Sequence, residues 1–179
     1  NNYWLKKLAP LKKSLILPHD LPQTKFKNAA NNLQFSLNDG VYKAIRSAAS
    51  KYGVNHYQVL LAGLFLTLNR YTNQEKLMIC TPSANRTRSE AENIIGYFNN
   101  ILPIFIETPK NQTLQELIAN VKNSVVNAYD HQSISLGEIS NFSNLRQISF
   151  RRAMMSYQNS FSNALELNGL KIDALSIRK

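Results

Sequence analysis

Apolar residues recur at helical spacing in several stretches of the chain. Val41, Ala44, Ile45, Ala48, Ala49 and Tyr52 lie on one face of a predicted helix and should be buried there. Asn38-Asp39-Gly40 turns the chain and caps its start, and Gly53 is placed to end it. Asn55 with Gln58 three residues on opens a second helix over about residues 56 to 71. Its apolar positions, Val59, Leu60, Leu61, Leu64, Phe65 and Leu68, run nearly all round, as in a core helix. Thr113 with Glu116 is a capping box that begins a third, with Leu114, Leu117, Ile118, Val121, Val125 and Ala128 on one face. That helix ends near Asp130-His131-Gln132, and Ser135 caps a short turn around Leu136 to Ile139. At the amino end, Tyr3, Trp4, Leu5 and Leu8 form one side of a short helix that Pro10 stops.

Strand patterns are shorter. Leu33, Phe35 and Leu37 alternate with polar residues, which predicts a half-buried strand. Lys76-Leu77-Met78-Ile79-Cys80 reads as a buried strand, and Thr81 to Arg88 as a polar loop after it, a good place for function. Asn93 to Ile104 is mostly apolar but contains Gly96, Asn99 and Asn100. Glycine in such a run means a bend, a bulge or close backbone approach. Two amides there need partners or a wet channel, because an unpaired buried amide costs about 1–3 kcal/mol. Pro103 marks the continuation as an edge strand. Residues 141 to 152 are polar and poorly periodic. Ala153 to Gln158 reads as a further strand, and two short ones flank Asn168-Gly169. Helices and strands mixed in this order predict one layered domain over residues 1–179, an α/β or α+β sandwich with a mixed sheet flanked by helices.

Composition narrows the picture. The 179 residues are 44% hydrophobic and 18% charged, ample for a core. The longest apolar run, Val59 to Leu68, is too short to span a bilayer, and one cysteine excludes a disulfide framework. With no signal peptide and no initial Met, we expect a cytoplasmic piece of a longer protein. The net charge is +10, and much of it lies early, in Lys6, Lys7, Lys12, Lys13, Lys25, Lys27, Lys43, Arg46 and Lys51. A basic face attracts nucleic acid, anionic lipid or an acidic protein, or is simply solvated.

Self-contained catalytic chemistry is missing from the pattern. The six glycines are scattered, so no phosphate loop forms, and three histidines with one cysteine have no metal spacing. His19 beside Asp20 sits in a Pro-bounded loop with no nucleophile nearby in sequence, so it reads as a loop histidine. His56 and Cys80 read as structural, the latter as a small hydrophobe.

A series of short segments says more. Tyr3-Trp4 with Leu8, then Leu17-Pro18-His19-Asp20-Leu21-Pro22, is similar to a Tyr-Trp and Leu-Pro-x-Asp-x-Pro stretch. Tyr71 to Glu75 resembles Tyr-Thr-Gly-Gln-Glu, and Thr81 to Arg86 resembles Thr-Pro-x-Ala-Gly-Arg. Ile95 to Asn100 resembles Ile-Gly-x-Phe-Val-Asn. His131-Gln132 stands where a His-Gln-Asp-Tyr-Pro-Phe-Glu stretch would begin, and Ser156 to Asn159 resembles a later Gln-Asn ending. In this order, across nearly the whole chain, they resemble the condensation domain of nonribosomal peptide synthetases. There are departures. Asn99 replaces an apolar residue, Ile101 replaces Thr, and Ser133, Ser135 and Gly137 break the His-Gln stretch. The family's Ser-Arg-Asn-Pro-Leu-Phe is not recognisable around residues 146 to 152, and its active-site His-His-x-x-x-Asp-Gly is not found.

The resemblance implies a chloramphenicol acetyltransferase-like lobe, the C-terminal one, without the N-terminal catalytic lobe and without the last strand and helix. It implies a part in amide-bond formation between carrier-bound aminoacyl and peptidyl thioesters, inactive alone. No catalytic residue and no metal ligand is expected here. The implied tunnel residues are Pro82, Arg86, Gly96, Tyr97, Asn99 and Asn100. Asn100 would either meet a substrate carbonyl or pantetheine amide, or pair with nearby backbone; Arg86 would either touch substrate or fix its loop. His131 and Gln132 are expected to be helix-end structure. No cofactor is bound directly; the phosphopantetheine arms of peptidyl carrier proteins enter from partners, which also include the N-terminal lobe. A carrier-binding module without catalysis, or a basic nucleic-acid-binding module, is the alternative; the latter lacks any helix-turn-helix, aromatic RNA-binding signature or metal finger.

Overall fold

The structure, a computed structural model, describes residues 2–18, 31–142 and 144–158. His19, Asp20, Lys25, Lys27 and the strands expected around Asn168-Gly169 lie outside the described residues.

Five helices and a two-stranded sheet make up the regular structure among the described residues. The helices are α1 (Asn2–Leu8), α2 (Asp39–Tyr52), α3 (His56–Thr72), α4 (Leu114–Asp130) and α5 (Leu136–Ser140). The strands are β1 (Lys76–Ser83) and β2 (Asn100–Glu107). Single 3-10 turns occur at Ser89–Ala91 and Phe150–Arg152. The starts are fixed as the sequence predicts. Asn38 caps α2, and full capping boxes form at Asn55/Gln58, Thr113/Glu116 and Ser135/Glu138. Gly53 ends α2 at φ 59°, a left-handed conformation that glycine adopts without steric cost. The backbone N–H and hydroxyl of Thr113 hold the Glu116 carboxyl below its usual value, and Ser135 does the same for Glu138. Both cap carboxylates therefore stay charged through neutral pH, and their contribution is lost only as acid titrates them below the ordinary glutamate range.

The sheet is antiparallel, with Cys80 opposite Pro103 and Ser83 opposite Asn100. Its outer side is bridged at one point, where Cys80 donates its N–H to Ala153 O (3.0 Å) and accepts from Met155 N (2.9 Å). Since Cys80 aims both backbone groups away from β2, its partner Pro103 also faces outward, so the missing proline N–H takes no ladder bond. Pro82, two residues on, points the same way as Cys80. The Phe105 carbonyl, outward too, accepts from Ser124 Oγ at 3.0 Å.

Alternate side chains of β1 point to opposite faces, and both sets are buried: Leu77, Ile79 and Thr81 on one, Met78 and Cys80 on the other. The sheet is therefore covered on both sides. α3 and α4 pack on each other, and α4 on β2. α1 is anchored by Trp4, fully buried, whose indole N–H donates to His131 O at 3.1 Å.

Several expectations are corrected. No strand forms at Leu33, Phe35 and Leu37; all three are exposed, because no described strand lies alongside to take their backbone bonds. Alternation alone does not make a strand. In α2 only Ala49 is buried, while Val41 and Ala44 are exposed, because no described element lies over the apolar face of the first half of the helix. Leu114 is 53% exposed, at the solvent end of α4. β1 runs on through Pro82 to Ser83, so the polar loop starts later than expected. Residues 93–99 are mostly an exposed loop and not a buried run: Ile95 and Tyr97 are open to solvent, and β2 begins only at Asn100. Conversely, Leu145, Ile148 and Phe150 are buried core in the stretch that looked merely polar. Ala153 to Gln158 supplies one bridge residue, Met154, and not a strand.

Candidate functional site

At the Ser83–Asn100 end of the sheet, side chains tie three segments that are distant in sequence. The Asn100 amide nitrogen donates to Gln132 O (2.7 Å) and Ile134 O (2.8 Å). Its oxygen accepts from Ile101 N (2.8 Å) and Leu136 N (3.4 Å). An asparagine amide has two donors and two acceptor sites, so this one is saturated. Asn100 thus joins the start of β2 to the turn between α4 and α5. Opposite it, the Ser83 hydroxyl donates to Gln132 Oε1 and accepts from Asn85 N at 3.1 Å. Asn99, the neighbouring amide, is exposed.

Arg86 builds the adjoining loop. Its Nη1 donates to Ala91 O and to Ile94 O (2.9 Å), and Nη2 to Gly96 O (3.4 Å). The guanidinium also lies over the Phe98 ring, 4.4 Å from its centroid. These contacts explain why 93–99 holds a loop without joining the sheet: one planar cation satisfies carbonyls that a strand partner would otherwise take. Gly96 has no left-handed backbone, and a Cβ there would meet the Phe98 ring at an ordinary 3.4 Å. Tyr97 projects into solvent. Replacing Arg86 with lysine keeps the charge but cannot span three carbonyls. We expect limited proteolysis to cut residues 91–98 of Arg86→Lys several-fold faster, with a stability loss under about 1 kcal/mol; equal cleavage rates would refute the loop-fixing role.

His131 is helix-end structure, as its position suggested. It terminates α4, its ring stacks on Tyr3 with centroids 3.9 Å apart, and its Nδ1 meets Asn127 O at 2.9 Å. The His56 ring lies edge-on to Tyr42, with centroids 6.1 Å apart. Cys80 is fully buried, its thiol donates to Phe150 O at 3.1 Å, and burial pushes that thiol up to about 12, far from a reactive thiolate. Among the described residues no group of three or more His, Cys, Asp or Glu could hold a metal ion, and no helix is long and apolar enough to cross a membrane.

Next to Ser83 along β1, a cavity of about 220 Å³ lies between Tyr57, Thr81, Pro82, Tyr129 and Tyr157. Burial pushes the Tyr57 phenol up to about 12, and the nearby Thr81 hydroxyl acts in the opposite direction. So Tyr3-Trp4, Thr81 to Arg86, Ile95 to Asn100, His131-Gln132 and Ser156-Tyr157 gather at this part of the molecule. Tyr71 to Glu75 does not; it lies at the other end, where Glu75 O accepts from Thr108 N at 2.7 Å. The partners Ser83, Gln132 and Tyr57 were not legible as site residues, because only the strand register and the α4 terminus bring them together.

The condensation-domain family matches residues 1–178 of the chain. Tyrocidine synthase 3 of Brevibacillus parabrevis is 31% identical over 138 residues, which are 76% of this chain and 2% of that protein. Surfactin synthase subunit 1 of Bacillus subtilis (strain 168) is 30% identical over 165 residues, 92% of this chain and 5% of that protein. The chain therefore spans a small part of these relatives. A four-domain nonribosomal peptide synthetase bound to AMP and glycine shares the fold, with a TM-score of 0.70 and 22% identity over 78% of this chain and 11% of that one. So does the X-domain from teicoplanin biosynthesis, with a TM-score of 0.70 and 23% identity over 81% of this chain and 32% of that one. The mixed α/β arrangement of a small antiparallel sheet flanked by helices is the fold shared with these structures. The chain belongs to the condensation-domain family.

Proposed function

We propose that this chain is the C-terminal lobe of a cytoplasmic nonribosomal peptide synthetase condensation domain, which forms amide bonds between carrier-bound aminoacyl and peptidyl thioesters. The observation that carries the reading is the gathering of family-like segments at one end of the sheet, around Asn100, Gln132 and Ser83. In this reading Pro82, Arg86, Gly96, Tyr97, Asn99 and Asn100 belong to a tunnel wall. Asn100 acts there by holding the wall's shape, since its hydrogen-bonding capacity is used by backbone. In this reading the lobe supplies no general base: His131 stacks on Tyr3 at the end of α4, and the base that assists the amine would come from paired histidines in an N-terminal lobe. Phosphopantetheine arms enter on peptidyl carrier proteins. Lys6, Lys12, Lys13, Lys43, Arg46 and Lys51 are all exposed, a surface suited to an acidic carrier, with affinity that is weak and falls with salt.

The chain alone is expected not to condense aminoacyl and peptidyl carrier thioesters, and joining it to an N-terminal lobe with paired histidines is expected to restore turnover. Amide formation by the chain alone would overturn the division of labour. Carrier binding without turnover in the joined protein would favour a second reading, a lobe that only binds partners. That reading has one support: an X-domain of this fold is known in complex with OxyB. Tight, salt-sensitive binding to random DNA without carrier binding would favour the nucleic-acid alternative.

A further inference from the structure

A second cavity lies at the opposite end of the sheet from Asn100. It is a groove of about 500 Å³ between the last turns of α3 and the first turn of α4. Three leucines and Pro109 form its apolar part. Leu117 is buried, while Leu66 is 39% and Leu114 53% exposed. Leu114 is the residue whose helical spacing assigned it to the core, yet no described element covers it. Two large apolar side chains left open in one concave surface mark a contact site more than two scattered ones would.

The rim is cationic. Arg70 and Lys110 both line the groove and are exposed, and no Asp or Glu lines it. Neither cation has an ion-pair partner among the described residues, where Lys76–Glu107 is the single salt bridge. Glu116, one turn along α4, is occupied by Thr113 in the capping box. The remaining lining is uncharged: Asn69, Asn73, Thr108, Gln112 and Thr113.

We propose that this groove docks an amphipathic helix whose apolar face carries leucine-like residues and whose flanks carry carboxylates. The leucine part takes the apolar face, as in helix-in-groove recognition. Arg70 and Lys110 pair with the flanking carboxylates, which sets orientation and speeds encounter more than it adds affinity. Nucleic acid is the weaker occupant, because no aromatic side chain lines the groove to stack a base. The proposal concerns a surface remote from the tunnel wall and stands or falls apart from it.

The test is a charge swap in the purified protein. Two synthetic helical peptides share one leucine face, one flanked by glutamates and the other by lysines. Fluorescence anisotropy gives their affinities for the native protein, for Arg70→Glu/Lys110→Glu, and for Leu66→Ser/Leu114→Ser. All four positions are exposed, so each variant should fold, which a thermal melt checks. The expected result is binding of the glutamate peptide to the native protein, weakened about tenfold by charge reversal and by the serine pair. The lysine peptide should gain affinity for the charge-reversed protein. Equal affinities across the variants, no binding of either peptide, or binding of a single-stranded oligonucleotide that the same charge reversal abolishes while the peptide stays unbound, would overturn it.

Discussion

Asn100→Ala is expected to lower stability by about 2–3 kcal/mol, and Asn100→Asp by more. The alanine leaves the Gln132 and Ile134 carbonyls without their donor, and each unmet buried polar group costs about 1–3 kcal/mol. The aspartate is worse because it sets a negative charge against the same two carbonyl oxygens. For a chain of this size, 1 kcal/mol shifts the melting temperature by about 2–4 °C, so the alanine variant should melt roughly 4–12 °C early. Asn99→Val is the control. It changes an exposed side chain beside the stitch and should stay within about 0.5 kcal/mol of the parent. In the joined two-lobe protein, turnover measured well below the melting transition separates shape from contact. An Asn100→Ala protein with an unchanged melting temperature and turnover reduced about tenfold would mean that the amide meets substrate instead of holding the α4–α5 turn.

Trp4→Ala should cost more, about 3–5 kcal/mol, the range for large aromatic truncations in a core. Trp4 is fully buried, packs edge-on against Tyr3 at 4.9 Å between centroids, and bonds α1 to His131 O at the end of α4. A seven-residue helix cannot hold itself in water, so losing its anchor should free it locally. Hydrogen exchange in α1 should then approach that of an unfolded peptide while α3 and α4 stay protected. Trp4→Phe keeps most of the bulk and loses the bond to His131 O, so it should cost about 1–2 kcal/mol. Full protection of α1 in Trp4→Ala would show that Leu8 and Leu11 suffice to dock it.

Helices were readable from the chain because their signals are local. A cap residue and an apolar face lie within a few positions of each other, and Asn55/Gln58, Thr113/Glu116 and Ser135/Glu138 all form as spaced. Burial was less readable. Val41, Leu114 and the Leu33–Phe35–Leu37 alternation have the right pattern but no described neighbour, and a pattern shows only what a residue could bury against. Within the site, Asn100 drew attention as an amide inside an apolar run, and Arg86 through its place in a polar loop with a family-like pattern. Their partners could not be read, since Ala91, Ile94, Gly96, Gln132 and Ile134 contribute backbone carbonyls, which carry no residue signature. Leu145, Ile148 and Phe150 were missed because their spacing fits neither a helix nor a strand.

The outer edge of β2 has a consequence for a protein that meets other chains while it is being made. Three successive outward-facing residues each lack one of their two pairing groups. The Ile101 N–H is taken by its neighbour Asn100, Pro103 has none, and the Phe105 carbonyl is held by Ser124, itself bonded by Lys7 Nζ at 3.0 Å. A foreign strand approaching that edge would find one of the two ladder bonds missing at each of these positions, so recruitment of a second copy into a growing cross-β stack is disfavoured along this strand. Opening one position is enough to test the guard. Ser124→Ala should leave the buried Phe105 carbonyl without its donor, at a cost of about 1–3 kcal/mol in stability, and raise the rate of thioflavin-positive aggregation on mild heating beyond that of another variant destabilised to the same degree.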